Sequence, residues 1–192
     1  MSSHDLQFLQ DIWNANGEVY EVGGSVRDRF LGKAHKDADY LVCNLPIQTL
    51  SQILKDYGKV AQVGKSFGVL KFSPHSQSQI EMDFAIPRKE KSTGVGHKDF
   101  EVHFDPSLPV TVDLSRRDFT INAMAFNLKN QELVDPFGGK KDLDNKVLRQ
   151  VFPKAFEEDP LRLVRAVQFA ARFQLSIEKK TWESIQANAS LI

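Results

Sequence analysis

Cysteine is almost absent from this sequence: Cys43 is the single one among 192 residues. No disulfide can form within the chain, and no disulfide-linked partner is expected, which is typical of a reducing, cytoplasmic setting. No apolar run approaches the roughly 20 residues of a membrane-spanning helix. Residues 1–10 also lack the charged start and apolar centre of a signal peptide. These absences predict a cytoplasmic protein that does not bind a membrane.

An excess of charge of either sign is missing as well. The 25 basic residues balance 25 acidic ones, so the formal net charge is zero. Net charge therefore does not indicate a nucleic-acid partner, and any basic surface must be local. The length suits one domain with a full core, or one domain with a small helical addition.

The apolar spacing predicts a mixed α/β region followed by helices, an α/β (α+β) fold class. Predicted helices cover residues 5–13, 25–31 and 47–57, and predicted strands cover 19–22, 39–42, 60–63, 69–72, 79–86 and 132–135. The polar segment 87–98 predicts a loop. From Asp144 onward only helices are predicted. We therefore place a mixed sheet flanked by helices in residues 1–145 and an all-helical segment in residues 146–192.

A Gly23-Gly24 pair stands between a predicted strand and helix. Glycine allows positive φ and lets backbone N–H groups approach a phosphate, and Arg27 would reach the same group. The alternative is a turn that uses glycine for steric reasons alone.

Asp37 and Asp39 predict a metal site. Residues two apart in an extended segment point to the same face, and the mutual repulsion of two carboxylates needs compensation. A pair of Mg²⁺ ions would supply it. The alternative is a solvated acidic loop. Glu81 and Asp83 share one face of a predicted strand, and either one is a candidate third carboxylate; alternatively, this face is simply solvated.

Two adjacent arginines, Arg116 and Arg117, precede Asp118 and Asn122. Ser115 and Asp118 fit a capping box that would begin a helix reaching about residue 126. Arginines at a helix N-terminus are unfavourable for the macrodipole, so a triphosphate is a candidate ligand. The alternative is two solvated arginines beside a capping aspartate.

The last cluster follows Glu158 and begins at Asp159. The helical projection places an apolar stripe on one side, formed by Leu163, Val164, Val167, Ala170 and Ala171. It places basic residues on the other side, namely Arg162, Arg165 and Arg172, together with Phe169. The Asp159–Arg162 pair offers an acceptor and donors to a base edge. The alternative is that Asp159 caps a helix with Pro160 in its first turn and that the arginines are solvated.

The order and spacing of these elements resemble the class II CCA-adding enzyme and bacterial poly(A) polymerase family. The motifs are Gly-Gly-x-Val-Arg-Asp, Asp-x-Asp, Arg-Arg-Asp-x-x-x-Asn-Ala and Glu-Asp-x-x-Arg-x-x-Arg-Ala, between residues 19 and 173. The resemblance implies a nucleotidyltransferase head in residues 1–145 and the start of a helical neck in 146–192. Family members continue into body and tail domains, so a truncated chain is expected, with impaired activity as one outcome.

The resemblance also implies roles for individual residues. Asp37 and Asp39 would hold two Mg²⁺ ions, with Asp83 as a further catalytic carboxylate. Asp159 and Arg162 would hydrogen-bond cytosine or adenine in place of a nucleic-acid template. The remaining nucleotide-binding positions are Gly23, Gly24, Arg27, Arg116, Arg117, Asp118, Asn122 and Arg165.

The implied reaction is the addition of CMP and AMP, from CTP and ATP, to the 3′ end of tRNA. The same motifs belong to relatives that add only CC, only A or poly(A), so they do not separate these activities. A chain that binds nucleotide without transferring it is a further alternative.

Overall fold

The computed structural model describes residues 7–33, 38–63, 68–77, 79–92 and 100–192. The strands are β1 (Glu18–Val22), β2 (Ala38–Cys43), β3 (Gly58–Val63), β4 (Val69–Pro74), β5 (Met82–Ala85), β6 (Arg88–Ser92), β7 (Phe100–Phe104), β8 (Ala125–Asn127), β9 (Leu133–Val134), β10 (Val147–Leu148) and β11 (Ser176–Ile177). The helices are α1 (Gln7–Asn14), α2 (Gly24–Phe30), α3 (Ile47–Lys55), α4 (Val110–Ser115), α5 (Gly139–Asp144), α6 (Ala155–Glu158), α7 (Leu161–Phe173) and α8 (Lys179–Asn188).

A seven-stranded sheet in the order β3-β4-β5-β2-β1-β8-β9 forms the centre of the fold. Strands β2 and β5 run parallel, and the other neighbours in this sheet are antiparallel. The predicted mixed sheet flanked by helices is confirmed. At one end of this sheet β1 ends while β2, β5 and β8 begin, so the segments next to these four strand ends are brought together.

The two faces of the sheet have separate cores. On one face α1 and α3 bury apolar side chains spaced three and four residues apart against large aromatic residues of β4 and β5. That cluster includes Phe8, Leu50, Leu54, Phe72 and Phe84. On the other face α4 packs Val110 and Leu114 against side chains of β1, β2 and β8.

The predicted helix over residues 115–126 is wrong. Helix α4 ends at Ser115, where that helix was expected to begin, and is followed by a short 3-10 turn (Thr120–Asn122) and by β8. The Ser115 hydroxyl donates to the Val112 carbonyl at 2.8 Å instead of capping a new helix. Because β8 pairs with β1 across the sheet, a tertiary contact overrides the local capping pattern.

The predicted loop over residues 87–98 is wrong in its first half. Strand β6 covers Arg88–Ser92 and pairs with β7 in an antiparallel ribbon. The Arg88 guanidinium lies 5.8 Å from the centre of the Phe104 ring, its cross-strand partner. A two-stranded ribbon outside the main sheet needs no alternating apolar pattern. The polar sequence of this segment therefore predicted a loop although part of it forms a strand. Residues 93–99 lie outside the described residues.

Helices dominate residues 146–192, with one parallel pair of two-residue strands, β10 and β11, that the sequence pattern did not predict. A third hydrophobic cluster joins Phe119 and Met124 to Phe156, Leu163 and Phe169. It therefore crosses the domain boundary near residue 145, which stays a prediction. None of the described helices has the length and apolar character needed to cross a membrane.

Helix α7 turns a different face inward from the one its apolar residues predict. Arg162, Leu163 and Phe169 are buried, whereas Val164 and Val167 are 52% and 63% exposed. The helix projection placed Arg162 on the side opposite the apolar stripe. Its guanidinium instead finds carbonyl acceptors on neighbouring segments, so burial costs little. Phe169 packs on Phe119, which lies outside α7, with ring centres 5.8 Å apart.

Candidate active site

A cavity of about 630 Å³ opens at the sheet end where β1 ends and β2 begins, between α4 and α7. Its lining residues are Gly24, Arg27, Asp39, Arg116, Arg117, Asp118, Asn122, Asp159, Leu161, Arg162, Arg165 and Phe169. All the predicted site residues are in this set except Gly23 and Asp83, which lie outside the lining, and Asp37, which lies outside the described residues. The volume is within the range of small-molecule sites.

The Gly23-Gly24 turn needs glycine for two reasons. Gly23 has φ 74, which is a left-handed conformation. A Cβ at this position would also overlap Nη1 of Arg117. The turn therefore allows β1 to end directly against an arginine of the cavity.

Arg27 joins three segments around the cavity and is 6% exposed. Its Nη1 donates to Oδ1 of Asn122 at 2.6 Å, and its Nε donates to Oδ1 of Asp28 at 2.9 Å. The guanidinium carbon lies 4.4 Å from the centre of the Phe173 ring and 5.5 Å from that of Phe169. Arg27 thus links α2 to the 3-10 turn and to α7.

Asp118 continues this network. Its Oδ1 accepts hydrogen bonds from the Phe119 backbone N–H at 2.8 Å and from Nδ2 of Asn122 at 3.1 Å. Its Oδ2 accepts from Nε of Arg165 at 2.8 Å and pairs with Nη2 at 2.6 Å. A chain of contacts therefore runs from Arg27 through Asn122 and Asp118 to Arg165.

Arg116 and Arg117 directly follow the C-terminal end of α4, not the N-terminus that the sequence predicted. A cation near a helix C-terminus is stabilised by the macrodipole, so no ligand is needed to explain the placement. Both guanidinium groups bind Asp113, which the sequence reasoning missed. The spacing of three and four residues from Asp113 to the two arginines was the available signal.

Asp159 and Arg162 stand where α7 begins. Oδ1 of Asp159 accepts the Leu161 backbone N–H at 3.1 Å, so this aspartate does cap the helix start. Arg162 is 8% exposed and donates to the carbonyls of Ala155 at 3.2 Å and Arg116 at 2.8 Å. Nε of Arg162 lies 3.8 Å from Oδ2 of Asp159. The pair is fixed in place and borders the cavity.

Two carboxylates stand side by side at the same sheet end. Asp39 and Asp83 are register partners on the parallel strands β2 and β5, so both point to the face covered by α4. Asp39 is exposed, and the Asp83 side chain is 40% exposed with Nζ of Lys71 at 3.7 Å. Glu81 precedes β5 and pairs with Lys71. Register thus favours Asp83 over Glu81 as the partner of Asp39.

Carboxylate oxygens are the ligands that Mg²⁺ prefers. The described residues include no group of three or more His, Cys, Asp or Glu side chains placed to hold a metal ion. Asp37 lies outside the described residues, so Asp39 and Asp83 are one part of the predicted set of metal ligands. The carboxylate oxygens of these two residues fit magnesium.

Burial shifts pKa values in the core beneath the site. Desolvation, with smaller contributions from Glu18 and Asp113, raises the pKa of the Cys43 thiol to about 12. Desolvation, reinforced by Glu21, raises the pKa of Tyr40 to about 12. Both groups are therefore neutral at physiological pH.

The fold is that of a nucleotidyltransferase head, with arginines and carboxylates facing one cleft. Residues 19–149 match the family model described as the poly(A) polymerase head domain, and the chain belongs to this family.

Several relatives carry a functional name. Over 171 residues the chain is 44% identical to the multifunctional CCA protein of Nitrosococcus oceani, covering 88% of this chain and 39% of that protein. It superimposes on the Bacillus stearothermophilus CCA-adding enzyme in complex with CTP with a TM-score of 0.80 and 28% identity, over 100% of this chain and 45% of that one. A tRNA nucleotidyltransferase complexed with a primer tRNA and an incoming ATP analogue gives a TM-score of 0.78 and 30% identity, over 96% of this chain and 50% of that one.

Proposed function

We propose that this chain adds CMP and AMP, from CTP and ATP, to the 3′ end of tRNA. The observation that carries the proposal is the convergence of several arginines and Asp39 on one cavity, with Asp83 next to Asp39 in the strand register. The relatives named above include proteins bound to CTP and to a primer tRNA with an ATP analogue. A tRNA substrate would place the activity in the cytoplasm, the setting that the cysteine content favours.

The arginines would bind the triphosphate and the carboxylates would act at the reacting phosphorus. Arg116 and Arg117 would donate to phosphate oxygens, since a guanidinium matches their geometry in a bidentate manner. The 3′-hydroxyl of the tRNA would lose its proton to solvent, and its oxygen would attack the α-phosphorus. The bond from that phosphorus to the oxygen bridging to the β-phosphate would break, and pyrophosphate would leave with that oxygen. Asp39, with Asp37 and Asp83, would hold Mg²⁺, which when bound supplies positive charge to the attacking and leaving oxygens.

The helix α7 would select the base. Asp159 offers a carboxylate acceptor, and Arg162 has five N–H donors, of which two are hydrogen-bonded to the carbonyls of Ala155 and Arg116. The contacts to backbone carbonyls would fix the orientation of the guanidinium, so that its remaining donors discriminate between base edges. The nucleotide would also contact the other predicted nucleotide-binding residues. These are the turn Gly23-Gly24, the network of Arg27, Asp118 and Asn122, and Arg165, which is the partner of Asp118.

Incorporation of single labelled nucleotides tests the proposal. We expect C to be added to tRNA transcripts ending before CCA and after the first C, and A to be added to transcripts ending in CC. The Asp37→Ala/Asp39→Ala double variant is the control and should add nothing. Addition of only C, only A or many A residues would instead assign the chain to the corresponding relatives.

Nucleotide binding without transfer is a second candidate. The same cavity would serve nucleotide binding alone. The chain spans 39% of the length of the multifunctional CCA protein it matches. Saturable CTP and ATP binding, with no extension of any transcript, would establish this candidate. Absence of both binding and extension would overturn both functions.

A further inference from the structure

Asp113 binds both arginines that follow α4, although it does not line the cavity. Its Oδ1 accepts from Nε and Nη2 of Arg116 at 2.9 and 2.7 Å, and its Oδ2 accepts from Nη2 of Arg117 at 3.2 Å. The residue is 1% exposed. One buried carboxylate thus uses one oxygen for each of two neighbouring guanidinium groups.

This arrangement lowers the net positive charge of the arginine pair. Two adjacent guanidinium groups repel each other, and a carboxylate between them cancels one of the two positive charges. Asp113 in turn needs these two arginines, because a buried carboxylate without a charged donor strongly destabilises the fold. The three side chains therefore form a unit with one net positive charge.

Arg117 is held from other directions too. Its Nη1 lies 3.4 Å from the Asn122 carbonyl oxygen, and the bare Cα of Gly23 leaves room for that atom. Its buried Nε finds no acceptor in the described part of the chain. The side chains of Arg116 and Arg117 are 24% and 20% exposed and both border the cavity. The guanidinium groups are thus held by residues of the same chain and are still accessible from the cavity.

A flexible arginine loses rotamer freedom when it binds a phosphate, and an arginine already held in position does not. We infer that Asp113 is a positioning residue that sets the triphosphate affinity of the cavity by holding Arg116 and Arg117. The inference rests on the proposed function, because it takes the ligand of these arginines to be a nucleoside triphosphate. It assigns Asp113 no contact with the nucleotide.

The test is calorimetric titration of CTP, ATP and CMP into Asp113→Asn and into the unchanged protein. The asparagine oxygen still accepts from one arginine, but its NH₂ group meets the donors of the other. We expect the Kd for CTP and for ATP to rise roughly tenfold alike, because the lost charge-assisted hydrogen bonds that orient the guanidinium groups outweigh the gain of one positive charge. The Kd for CMP should change less than about twofold, since CMP lacks the β- and γ-phosphates.

Asp142→Asn is the matched control. Asp142 is also a buried aspartate that accepts from an arginine, with Nε of Arg149 at 2.9 Å and the Thr120 hydroxyl at 2.6 Å, but it does not line the cavity. Loss of the Asp142 charge should lower thermal stability and leave the ratio of CTP to CMP affinity unchanged. If Asp113→Asn does not fold, Asp113→Ser is measured in its place with the same expectations.

An unchanged ratio of CTP to CMP affinity in a folded Asp113 variant would overturn the inference. An equal loss of CTP and CMP affinity would overturn it too, because that result is what a purely structural residue gives. Failure of the unchanged protein to bind CTP would overturn the proposed function as well, so the two failures are distinguishable.

Discussion

The two sides of the cavity are built differently. On the arginine side, Arg27, Arg116, Arg117 and Arg165 are each bound to a carboxylate or an amide of the same chain. On the carboxylate side, Asp39 is exposed and its register partner Asp83 is half-exposed beside Lys71. The first side is organised before any ligand arrives, whereas the second is more exposed to solvent.

The difference follows from the length and flexibility of the side chains. A guanidinium has a long flexible stem, so neighbouring carboxylates are needed to fix its direction. An aspartate on a strand has a short side chain, and its direction is already given by the pleat. The carboxylate side therefore needs only strand register to place its oxygens, and the proposed cations would complete it.

The largest expected effect is the loss of activity on removing Asp39. We expect Asp39→Ala to lower nucleotide incorporation by about a thousandfold or more, because a metal-holding charge at the reacting phosphorus would be lost. The fold should persist, since a neighbouring carboxylate is relieved of repulsion. Glu81→Ala, which removes another exposed carboxylate near this edge, is the control and should keep most of the activity. Equal activities of the two variants would contradict the assignment.

The next effect concerns the arginine side. Arg27→Met should lower the free energy of unfolding by about 3 kcal/mol, because Asn122 and Asp28 lose a charged donor in a buried site. Urea unfolding measures the change. Lys140→Met is the control: Lys140 also lies over an aromatic ring, that of Phe30, but its side chain is 35% exposed, and the change should cost about 0.5 kcal/mol or less. Similar losses would mean that the arginine side is not organised in advance.

Base selection gives a smaller effect. Arg162→Ala should reduce the preference for CTP and ATP over UTP and GTP by roughly tenfold to a hundredfold, the value of one or two discriminating hydrogen bonds. Triphosphate affinity should change less than this preference. Single-nucleotide incorporation with all four triphosphates measures both quantities. Equal weakening of all four would make Arg162 a phosphate contact.

The smallest effect separates the exposed and buried ends of β2. Cys43 ionises with a pKa near 9 when unfolded but about 12 when folded, so its contribution to stability is full below pH 9 and is lost as the pH rises toward 12. Between pH 7 and pH 10 the ionisation of this thiol in the unfolded chain should lower the free energy of unfolding by about 1.4 kcal/mol. Urea unfolding of Cys43→Ala should show a smaller decrease over that interval, and an identical decrease would contradict the buried neutral thiol.

Local patterns predicted the helices α1, α2 and α3 within a few residues, because their apolar spacing agrees with the surface that they cover. They did not predict β8, whose strand character depends on its pairing with β1. The motif residues of the site were chosen without the structure, but their roles remain proposals. The proximity of Asp39 to Asp83 required the parallel pairing of β2 and β5, which no short sequence pattern encodes. The burial of Arg162 depended on carbonyl acceptors in distant segments, and no helix projection contains those.

A crystal structure of this protein with CTP and Mg²⁺ is the most direct test of the account. We predict that the triphosphate accepts hydrogen bonds from Arg116 and Arg117, and that a metal ion contacts Asp39 and a phosphate oxygen. The cytosine should lie within hydrogen-bonding distance of Asp159 and Arg162. Nucleotide bound elsewhere, or a metal ion at Glu81 with none at Asp39, would contradict the assignment of the cavity.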